Sequence, residues 1–274
     1  ETLDVPGGLK IRTIHAFCES LLGRFPVEAG IAPHFSVIDE RTAAELMTEA
    51  RDRVLAQAHA AGSENIARSL TLMAGLLNED DFAKLMSDLS SRRSHLKALF
   101  NRYGSINGVI EASCRTLGLV EGETAETIVQ HACEENSFDK AALLGAAKAL
   151  SGGTKTDKVR AERLQVWLEG NGTFRRTSFE NSYLDIFLKK TNEPRARLMT
   201  NKVAEASPVG LQALLDEQIR IAAISEKLRA IGIYAASEAL IHLGSHLLEI
   251  FEHLKENRAL LDYDDLILKA RDLL

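Results

Sequence analysis

Residues 10–40 have the sequence KIRTIHAFCESLLGRFPVEAGIAPHFSVIDE. β-Branched side chains are frequent in residues 9–14, which follow a Pro-Gly-Gly turn signal, and this pattern predicts a short strand. Thr13 is a suitable N-terminal cap for a helix that follows at once. A second β-prone run at residues 34–38 leads to Asp39, which predicts the cap of the next helix. The stretch therefore predicts short strands that alternate with capped helices.

The predicted first helix has an apolar side and a polar side. Its apolar positions follow the 3.6-residue period of a helix, and they are Ile14, Cys18, Leu21, Leu22 and Phe25. His15 and Glu19 fall on the opposite, solvent-facing side. A strand that leads directly into a Thr-capped helix directs free backbone N–H groups and the positive end of the helix dipole to one point, where a phosphate can bind. An ordinary helix cap beside a surface histidine is the alternative interpretation.

Several segments resemble motifs of a known protein family. The run TIHAFC at residues 13–18 and the pattern GxxPxFxVID at residues 30–39 are similar to the single-strand-binding motif of UvrD/Rep-type superfamily 1 helicases. Residues 260–267, LLDYDDLI, resemble the segment before the Walker B strand in those proteins, with Tyr263 in place of the usual Phe. Within this family the chain most resembles the AddA-type (RecB-like) helicase–nuclease subunits, and FLx4EPR at residues 187–195 is similar to a recurrent AddA segment.

The resemblance implies a division of the chain into motor and insertion segments. Residues 1–40 and 258–274 would belong to the first RecA-like motor domain, 1A. Residues 41–257 would form a multi-helix insertion, a 1B-like arm. We therefore expect a mainly α fold with short N-terminal β-strands and partial motor-domain edges.

The resemblance also implies DNA-binding residues. Thr13 and His15 would bind the phosphates of single-stranded DNA, with Arg24 further along the same helix. Duplex DNA would lie along the helical arm, where Arg92 and Arg93 are the candidate contacts within the basic group at residues 92–102. Further basic groups occur at residues 175–176 and 189–202, and solvated surface charge is the alternative interpretation of all three groups.

The parent protein would be an ATP-dependent DNA helicase/exonuclease that acts in double-strand break repair and recombination. The resemblance implies ATP and Mg²⁺ as its cofactors and an AddB-like subunit as its partner. This sequence lacks the Walker A lysine, the Walker B acids, the arginine finger and the nuclease carboxylates, so we assign no catalytic residue and expect no ATPase, helicase or nuclease activity from it. Measurable ATP turnover by the purified chain would contradict this expectation.

The amino-acid composition limits the possible fold classes and cellular locations of the protein. Of 274 residues, 45% are hydrophobic and only 5% are aromatic, which favours helix over sheet and one large or two modest domains. The net charge of −6 means that any nucleic-acid surface is a local patch. Three widely spaced cysteines predict reduced thiols, and there is no signal peptide and no long apolar run, so we expect a bacterial cytoplasmic protein with no membrane partner. We interpret the chain as a piece of a longer protein.

Further along, the sequence predicts individual helices. The longest pattern starts at Ser207-Pro208 and continues to Asn257, with bends or close packing at Gly232 and Gly244. A helix is predicted from residue 79 to a stop at Gly104, and residues 170–179 are predicted as an exposed turn.

Two groups of ionisable residues have competing interpretations. Asp262, Asp264 and Asp265 could be catalytic carboxylates, but acids at a helix start are more often cap and dipole partners. A face of one helix carries a row of acids and histidines that could bind a metal or be simply solvated, and its members are Glu238, His242, His246, Glu249 and His253. We assign no metal ligand. The alternative function is a helical scaffold or protein-interaction module without nucleic-acid binding.

Overall fold

The computed structural model describes residues 13–57 and 64–274. Residues 9–12 of the predicted first strand lie outside the described residues. Residue 13 is the cap of the first helix, and residue 14 is already helical. The described chain divides into two compact units. We call the part up to Val109 together with Ala236–Leu274 the terminal unit, and Ile110–Ala235 the middle unit.

The predicted mainly α fold is confirmed. In chain order the elements are α1 Ile14–Arg24, β1 Ser36–Val37, α2 Glu40–Gln57, α3 Glu64–Leu76, α4 Glu79–Ser91, α5 Arg93–Tyr103, α6 Ile106–Thr116, α7 Ala125–Ala132, α8 Lys140–Ser151, α9 Lys155–Glu169, α10 Gly172–Ser178, a π-helical turn Phe179–Tyr183, α11 Leu184–Phe187, α12 Asn201–Ala206, α13 Pro208–Asn257, β2 Leu260–Leu261 and α14 Tyr263–Leu273. Among the described residues, no helix combines the length and apolar character that a membrane span requires.

Two short strands join the ends of the described chain. β1 pairs in parallel with β2, with Ser36 opposite Leu260 and Val37 opposite Leu261. Each strand leads into a capped helix, because Asp39 accepts a hydrogen bond from Thr42 N at 2.8 Å at the start of α2 and Asp262 caps α14. A small core connects α1 with this region through Cys18, Leu22, Leu261, Leu266 and Ala270.

The predicted apolar side of α1 is correct only at its centre. Cys18 and Leu22 are buried, but Ile14 is 63% exposed and Phe25 is 41% exposed. The buried contacts with α14 involve the middle of α1, so the side chains at the two helix ends are left uncovered. His15 is half-buried because its ring lies beside that of Tyr263, so its predicted place on the solvent-facing side is correct only in part.

The last part of α13 packs against α2, α3 and α4 in a second core of the terminal unit. Its buried residues include Leu46, Ala50 and Val54 of α2 and Leu243, Leu247 and Phe251 of α13. A Cβ at Gly244 would lie 3.1 Å from Leu89 Cδ1, which confirms the close packing predicted there. A Cβ at Gly232 would meet no atom within 4 Å, so that position is not a close packing point, and the alternative of a bend there stays a prediction.

The helix predicted from residue 79 to Gly104 is instead two helices. Arg92 lies between α4 and α5 with φ −106° and ψ 17°, and its N–H bonds to the carbonyls of Asp88 and Leu89 at 3.2 Å. The predicted stop is confirmed, since Gly104 ends α5 in the left-handed region at φ 79°. Residues 170–179 are also not a turn, because Asn171 caps α10 by accepting a bond from Phe174 N at 2.8 Å.

An aromatic cluster forms the centre of the middle unit. The rings of Trp167 and Tyr183 stack with centroids 3.6 Å apart. The Tyr183 hydroxyl donates to Glu217 Oε1 at 2.6 Å, and Arg220 Nε donates to Glu217 Oε2 at 2.7 Å. Burial raises the pKa of Tyr183 well above its ordinary value, and the adjacent Glu217 carboxylate adds to this shift. The Tyr183 hydroxyl is therefore neutral at physiological pH, and it acts as a hydrogen-bond donor to Glu217.

Arg175 lies inside this cluster, so it does not belong to an exposed basic surface. Its side chain is 4% exposed, and its guanidinium lies over the rings of Phe138 and Trp167 at 5.4 and 5.8 Å. It donates to Glu135 Oε1 at 3.0 Å and to the carbonyl of Leu168 at 3.3 Å.

The segment before α13 is held by side-chain bonds to its backbone. Gln218 Nε2 donates to the carbonyls of Phe187 and Arg195 at 2.8 and 3.0 Å, and this closes the 187–195 segment into a clasp. Asp157, which is 1% exposed, accepts bonds from the backbone N–H and the hydroxyl of both Thr154 and Thr200. Burial opposes ionisation of Asp157, but the four hydrogen bonds outweigh it and lower the pKa of this carboxyl. Asp157 thereby joins the start of α9 to the start of α12.

We predict that Asp157→Ala lowers the free energy of unfolding by about 2–4 kcal/mol, because it leaves backbone donors at two helix starts without a partner. Asp139→Ala is the matched control: Asp139 is an exposed cap that accepts only from Ala142 N at 2.9 Å, and its loss should cost about 1 kcal/mol. Urea unfolding followed by circular dichroism measures both. Equal losses would contradict the double role of Asp157.

Candidate nucleic-acid interface

The start of α1 is open to solvent. Thr13 is exposed and has the extended backbone of a helix cap, with φ −66° and ψ 157°. Its Oγ1 accepts a bond from Ala16 N at 3.3 Å, and its carbonyl accepts one from Phe17 N at 3.0 Å. The first four backbone N–H groups of a helix do not bond to a carbonyl within the helix. The N–H groups of Ile14 and His15 therefore point away from the start of α1. The predicted cap at Thr13 is therefore confirmed, although its role in DNA binding stays a prediction.

This helix start retains its positive partial charge. The first turn of α1 contains no acidic side chain. In contrast, the first turn of α4 carries three acids and that of α14 carries Asp264 and Asp265. Acids in the first turn neutralise the positive end of the helix dipole, and an anion from outside can take their place where they are missing.

His15 and Tyr263 form an aromatic pair beside the helix start. Their ring centroids are 5.0 Å apart, and the ring planes are inclined by 56°. Tyr263 is the first residue of α14 and is 42% exposed. The pair joins α1 to α14, so residues from opposite ends of the chain lie next to each other at the exposed end of α1. Of the two residues of this pair, sequence analysis assigned only His15 to the candidate site.

Arg24 is not part of the same location. It is an exposed residue in the last turn of α1, whereas Thr13 caps the first turn. At a rise of about 1.5 Å per residue, the two positions are roughly 16 Å apart along the helix axis. A nucleic acid that contacts both residues therefore has to run along the helix.

Arg92 and Arg93 have opposite environments. Arg92 is exposed at the break between α4 and α5. Arg93 is 7% exposed, and its guanidinium forms ion pairs with Asp262 and, at 3.1 Å, with Asp264. The Arg93 guanidinium neutralises carboxylates within the terminal unit, so it does not form part of an exposed basic surface. Its assignment as a DNA contact stays an untested prediction.

Arg93 belongs to a group of charged side chains that we call the charge cluster, made up of Arg93, Glu252, Lys255, Asp262, Asp264 and Asp265. Four of them are buried, whereas Glu252 is partly exposed and Asp264 is half exposed. Lys255 is 1% exposed. Its ammonium donates to Asp262 Oδ2 at 3.0 Å and to Asp265 Oδ2 at 2.5 Å, and it lies 3.3 Å from Glu252 Oε2. The same ammonium lies 4.6 Å from the ring centroid of Phe251, a cation–π distance.

The carboxylates of the charge cluster also form the cap of α14. Asp262 accepts from Asp265 N at 3.0 Å, and Asp265 accepts from Asp262 N at 3.1 Å, which is a complete capping box. The predicted cap at Asp262 and its partner Asp265 is therefore confirmed. The interpretation of these acids as cap and dipole partners is correct, and the structure adds two buried cations that balance them.

The charge cluster shifts several pKa values. Burial opposes the charge of Lys255, but attraction to Asp265, Glu252 and Asp262 outweighs it and raises the pKa of the ammonium. Burial likewise opposes ionisation of Asp262, but Lys255 and Arg93 lower the pKa of this carboxyl. At Asp265, burial raises the pKa, and the attraction of Lys255 counters it only in part.

Sequence analysis missed Lys255, although a signal was present. It lies on the apolar side of α13, four residues after Phe251 and next to Leu254, both of which are buried. A lysine on the core side of a helix requires a buried carboxylate partner. Its partners Asp262 and Asp265 come seven and ten residues later, beyond β2. They are not on the same helix as Lys255, so helical spacing does not predict the pairing.

The histidine-rich side of α13 has ordinary polar contacts. His246 Nε2 lies 2.7 Å from Gln57 Oε1, and His246 Nδ1 lies 3.6 Å from Glu249 Oε2. His253 Nδ1 lies 3.4 Å from Glu256 Oε2. Within residues 13–57 and 64–274, no group of three or more potential ligands is placed to hold a metal ion.

A cavity of about 630 Å³ lies in the terminal unit, at the ends of β1 and β2. It is bounded by the start of α2, the end of α4 and the start of α14. Its charged lining consists of four acids and two arginines, namely Asp39, Glu40, Arg51, Arg93, Asp262 and Asp264. Tyr263 also lines the cavity. The aromatic pair therefore lies between an open helix start and an acidic recess.

Comparison with protein families gives one match over nearly the whole chain. The family model described as the UvrD/REP helicase N-terminal domain matches residues 6–274. A search of curated proteins finds no relative that matches.

We predict that Lys255→Met lowers the free energy of unfolding by about 3–5 kcal/mol at pH 7, because it leaves Asp262 and Asp265 buried without their shared cation. The loss should shrink as the pH rises. A raised folded-state pKa means that Lys255 stabilises the wild type fully below the unfolded value of about 10.4 and progressively less as the pH passes through the higher folded value.

Urea unfolding at pH 7 and at several values above pH 10 measures this difference. Lys97→Met is the control, since Lys97 also pairs with Glu252, at 3.1 Å, but its side chain is 44% exposed. Its loss should cost less than about 1 kcal/mol. A Lys255→Met deficit no larger than that of the control, or one that stays constant with pH, would contradict the assignment.

Proposed function

Because this chain belongs to the UvrD/Rep helicase family, we propose that it is a DNA-binding part of a DNA helicase in which the start of α1 binds single-stranded DNA. One observation carries the proposal. The helix start capped by Thr13 is exposed, has no acid in its first turn and lies beside His15. The family match indicates that the ligand is DNA, and the backbone N–H groups at the start of α1 are suited to bind its phosphates.

Each group at this place has a role in the proposed contact. The Thr13 hydroxyl accepts from Ala16 N, and its own proton stays available to donate to a phosphate oxygen. The N–H groups of Ile14 and His15 add backbone donors, which do not distinguish one base from another. Binding of this kind is sequence-independent, and it weakens as salt concentration rises because phosphate contacts release counterions.

We further propose that the parent protein is an AddA-like helicase–exonuclease that acts in double-strand break repair and recombination. The resemblance of the 187–195 segment to AddA supports this finer assignment, and that segment forms the clasp closed by Gln218. In this proposal residues 1–40 and 258–274 belong to motor domain 1A, and residues 41–257 form a 1B-like arm that guides duplex DNA. ATP, Mg²⁺, an AddB-like partner and a cytoplasmic location belong to the parent protein in the same proposal.

The test of the single-strand site is Thr13→Asp. Aspartate caps a helix as well as threonine does, so the fold should persist, but its carboxylate repels a phosphate. We expect affinity for a 15-nucleotide oligo-dT, measured by fluorescence anisotropy at low salt, to fall about 10- to 100-fold, which corresponds to loss of one hydrogen bond to a charged group.

Thr124→Asp is the matched control. Thr124 is likewise an exposed threonine that caps a helix, α7 in the middle unit, where it accepts from Thr127 N at 3.2 Å. The control should leave DNA affinity unchanged. Equal effects of the two substitutions, or binding that does not depend on salt, would refute the proposed site.

A forked DNA tests the arm and the alternative function together. Arg92→Glu should weaken binding of forked DNA more than binding of oligo-dT, because the proposed arm contacts only the duplex part. A helical scaffold without a nucleic-acid role predicts that the wild-type chain binds neither DNA at any salt concentration. That result would favour the scaffold and reject the DNA-binding proposal.

A further inference from the structure

We propose that the middle unit contains a phosphate-binding site, in which the guanidinium groups of Arg160 and Arg195 hold one phosphate group beside the clasp. Such a group occurs both in the backbone of duplex DNA and in free phosphorylated molecules. The inference does not rest on the proposed single-strand function, because the start of α1 belongs to the terminal unit. Three observations carry it: the fixed positions of the two arginines, their unused N–H groups, and the excess of positive charge around them.

The first observation is that backbone carbonyls hold both arginine side chains in place. Arg160 of α9 is partly buried, and its Nη1 donates to the carbonyl of Leu198 at 2.8 Å. Arg195, at the end of the clasp, is also partly buried, and its Nε donates to the carbonyl of Asp185 at 3.0 Å. The backbone N–H of Arg195 donates to the carbonyl of Phe187 at 2.9 Å. Because both side chains are already ordered, they lose little conformational entropy when an anion binds.

The second observation is that both guanidinium groups keep unused donors. A guanidinium has five N–H donors in a planar fork, and this fork matches the oxygens of a phosphate. Within the described part of the chain, the side chains of Arg160 and Arg195 each form one hydrogen bond, to a carbonyl, and no ion pair. The buried side-chain nitrogens that lack a partner in that part of the chain belong to other arginines. The unbonded nitrogens of Arg160 and Arg195 are therefore accessible to solvent.

The third observation is an excess of positive charge along this segment. Residues 185–202 contain five basic and two acidic side chains, and one of the acids, Glu193, already pairs with Lys189 at 2.8 Å. Among the described residues, the other four basic side chains form no ion pair, and they are Lys190, Arg195, Arg197 and Lys202. Solvation accounts for the exposed members of this group, but it is incomplete for the partly buried Arg195.

The charges of the two arginines also act on each other. Burial lowers the pKa of the Arg160 guanidinium, the adjacent charge of Arg195 lowers it further, and the Asp157 carboxylate offsets these effects only in part. Asp157 already accepts four hydrogen bonds at the starts of α9 and α12. A phosphate between the two guanidinium groups would supply the missing negative charge, and it would relieve the repulsion between them.

Binding of the 274-residue chain to two probes tests the site. One probe is inorganic phosphate, followed by phosphorus NMR, and the other is a 20-base-pair blunt duplex DNA, followed by fluorescence anisotropy at low salt. We expect Arg160→Gln and Arg195→Gln each to weaken binding about 10- to 100-fold, which corresponds to loss of one hydrogen bond to a charged group. This loss in the binding of inorganic phosphate supports a site that accepts free phosphates. The same loss with the duplex alone supports the DNA backbone as the source.

Arg229→Gln is the matched control, since Arg229 is an exposed arginine of α13 in the middle unit. It should bind both probes like the wild type. Arg195→Lys keeps the charge but loses the planar fork, so it should bind more weakly than the wild type even if the glutamine variants fail to fold. Equal binding by Arg195→Lys and the wild type would contradict the inference.

The inference is refuted if the wild type binds neither probe, or if Arg160→Gln and Arg195→Gln bind as Arg229→Gln does. Its failure is distinguishable from failure of the proposed single-strand site, because oligo-dT and Thr13→Asp test that site separately. Loss of oligo-dT binding in Thr13→Asp, with binding of both probes intact, would support two independent phosphate sites.

Discussion

The ammonium of Lys255 sits in the interior of the terminal unit, between the carboxylates of Asp262 and Asp265. A buried charge is costly to desolvate, and it persists only where partners are close and well placed. Here the partners are the two residues that form the capping box of α14, with Arg93 of α5 on the far side of Asp262. One set of charges thus ties three helices together, and it fixes the point at which α14 begins.

That point determines the geometry of the candidate DNA site. Tyr263 follows the anchored Asp262 directly, and His15 packs against its ring. The start of α1 is left open, whereas the start of α14 is neutralised by its own acids. Two helix starts that lie near each other therefore differ in charge, because that of α1 has no acid in its first turn and that of α14 has two. The charge cluster fixes the start of α14, and the Tyr263 ring that contacts His15 follows directly after it.

The middle unit is held together by a different set of interactions. The Arg175 guanidinium lies over the rings of Phe138 and Trp167, and Glu217 binds both Tyr183 and Arg220. Two arginines that contribute to the basic composition of this unit are thereby engaged with ring faces and with a buried carboxylate. The exposed cationic surface of the middle unit is accordingly smaller than its sequence indicates.

Sequence alone determined the features that depend on neighbours within about four residues. The caps at Thr13, Asp39 and Asp262, the stop at Gly104 and the full extent of Pro208–Asn257 were predicted correctly, because helix starts and stops are local hydrogen-bonding problems. Only the tertiary structure decided which charged side chains form buried ion pairs and which aromatic rings are in contact. Arg93 finds Asp262 across 169 residues, and His15 meets Tyr263 from the opposite end of the chain. The periodicity of the sequence does not predict such pairs, because they depend on which helices pack together. They also depend on the high free-energy cost of burying a charge without a partner.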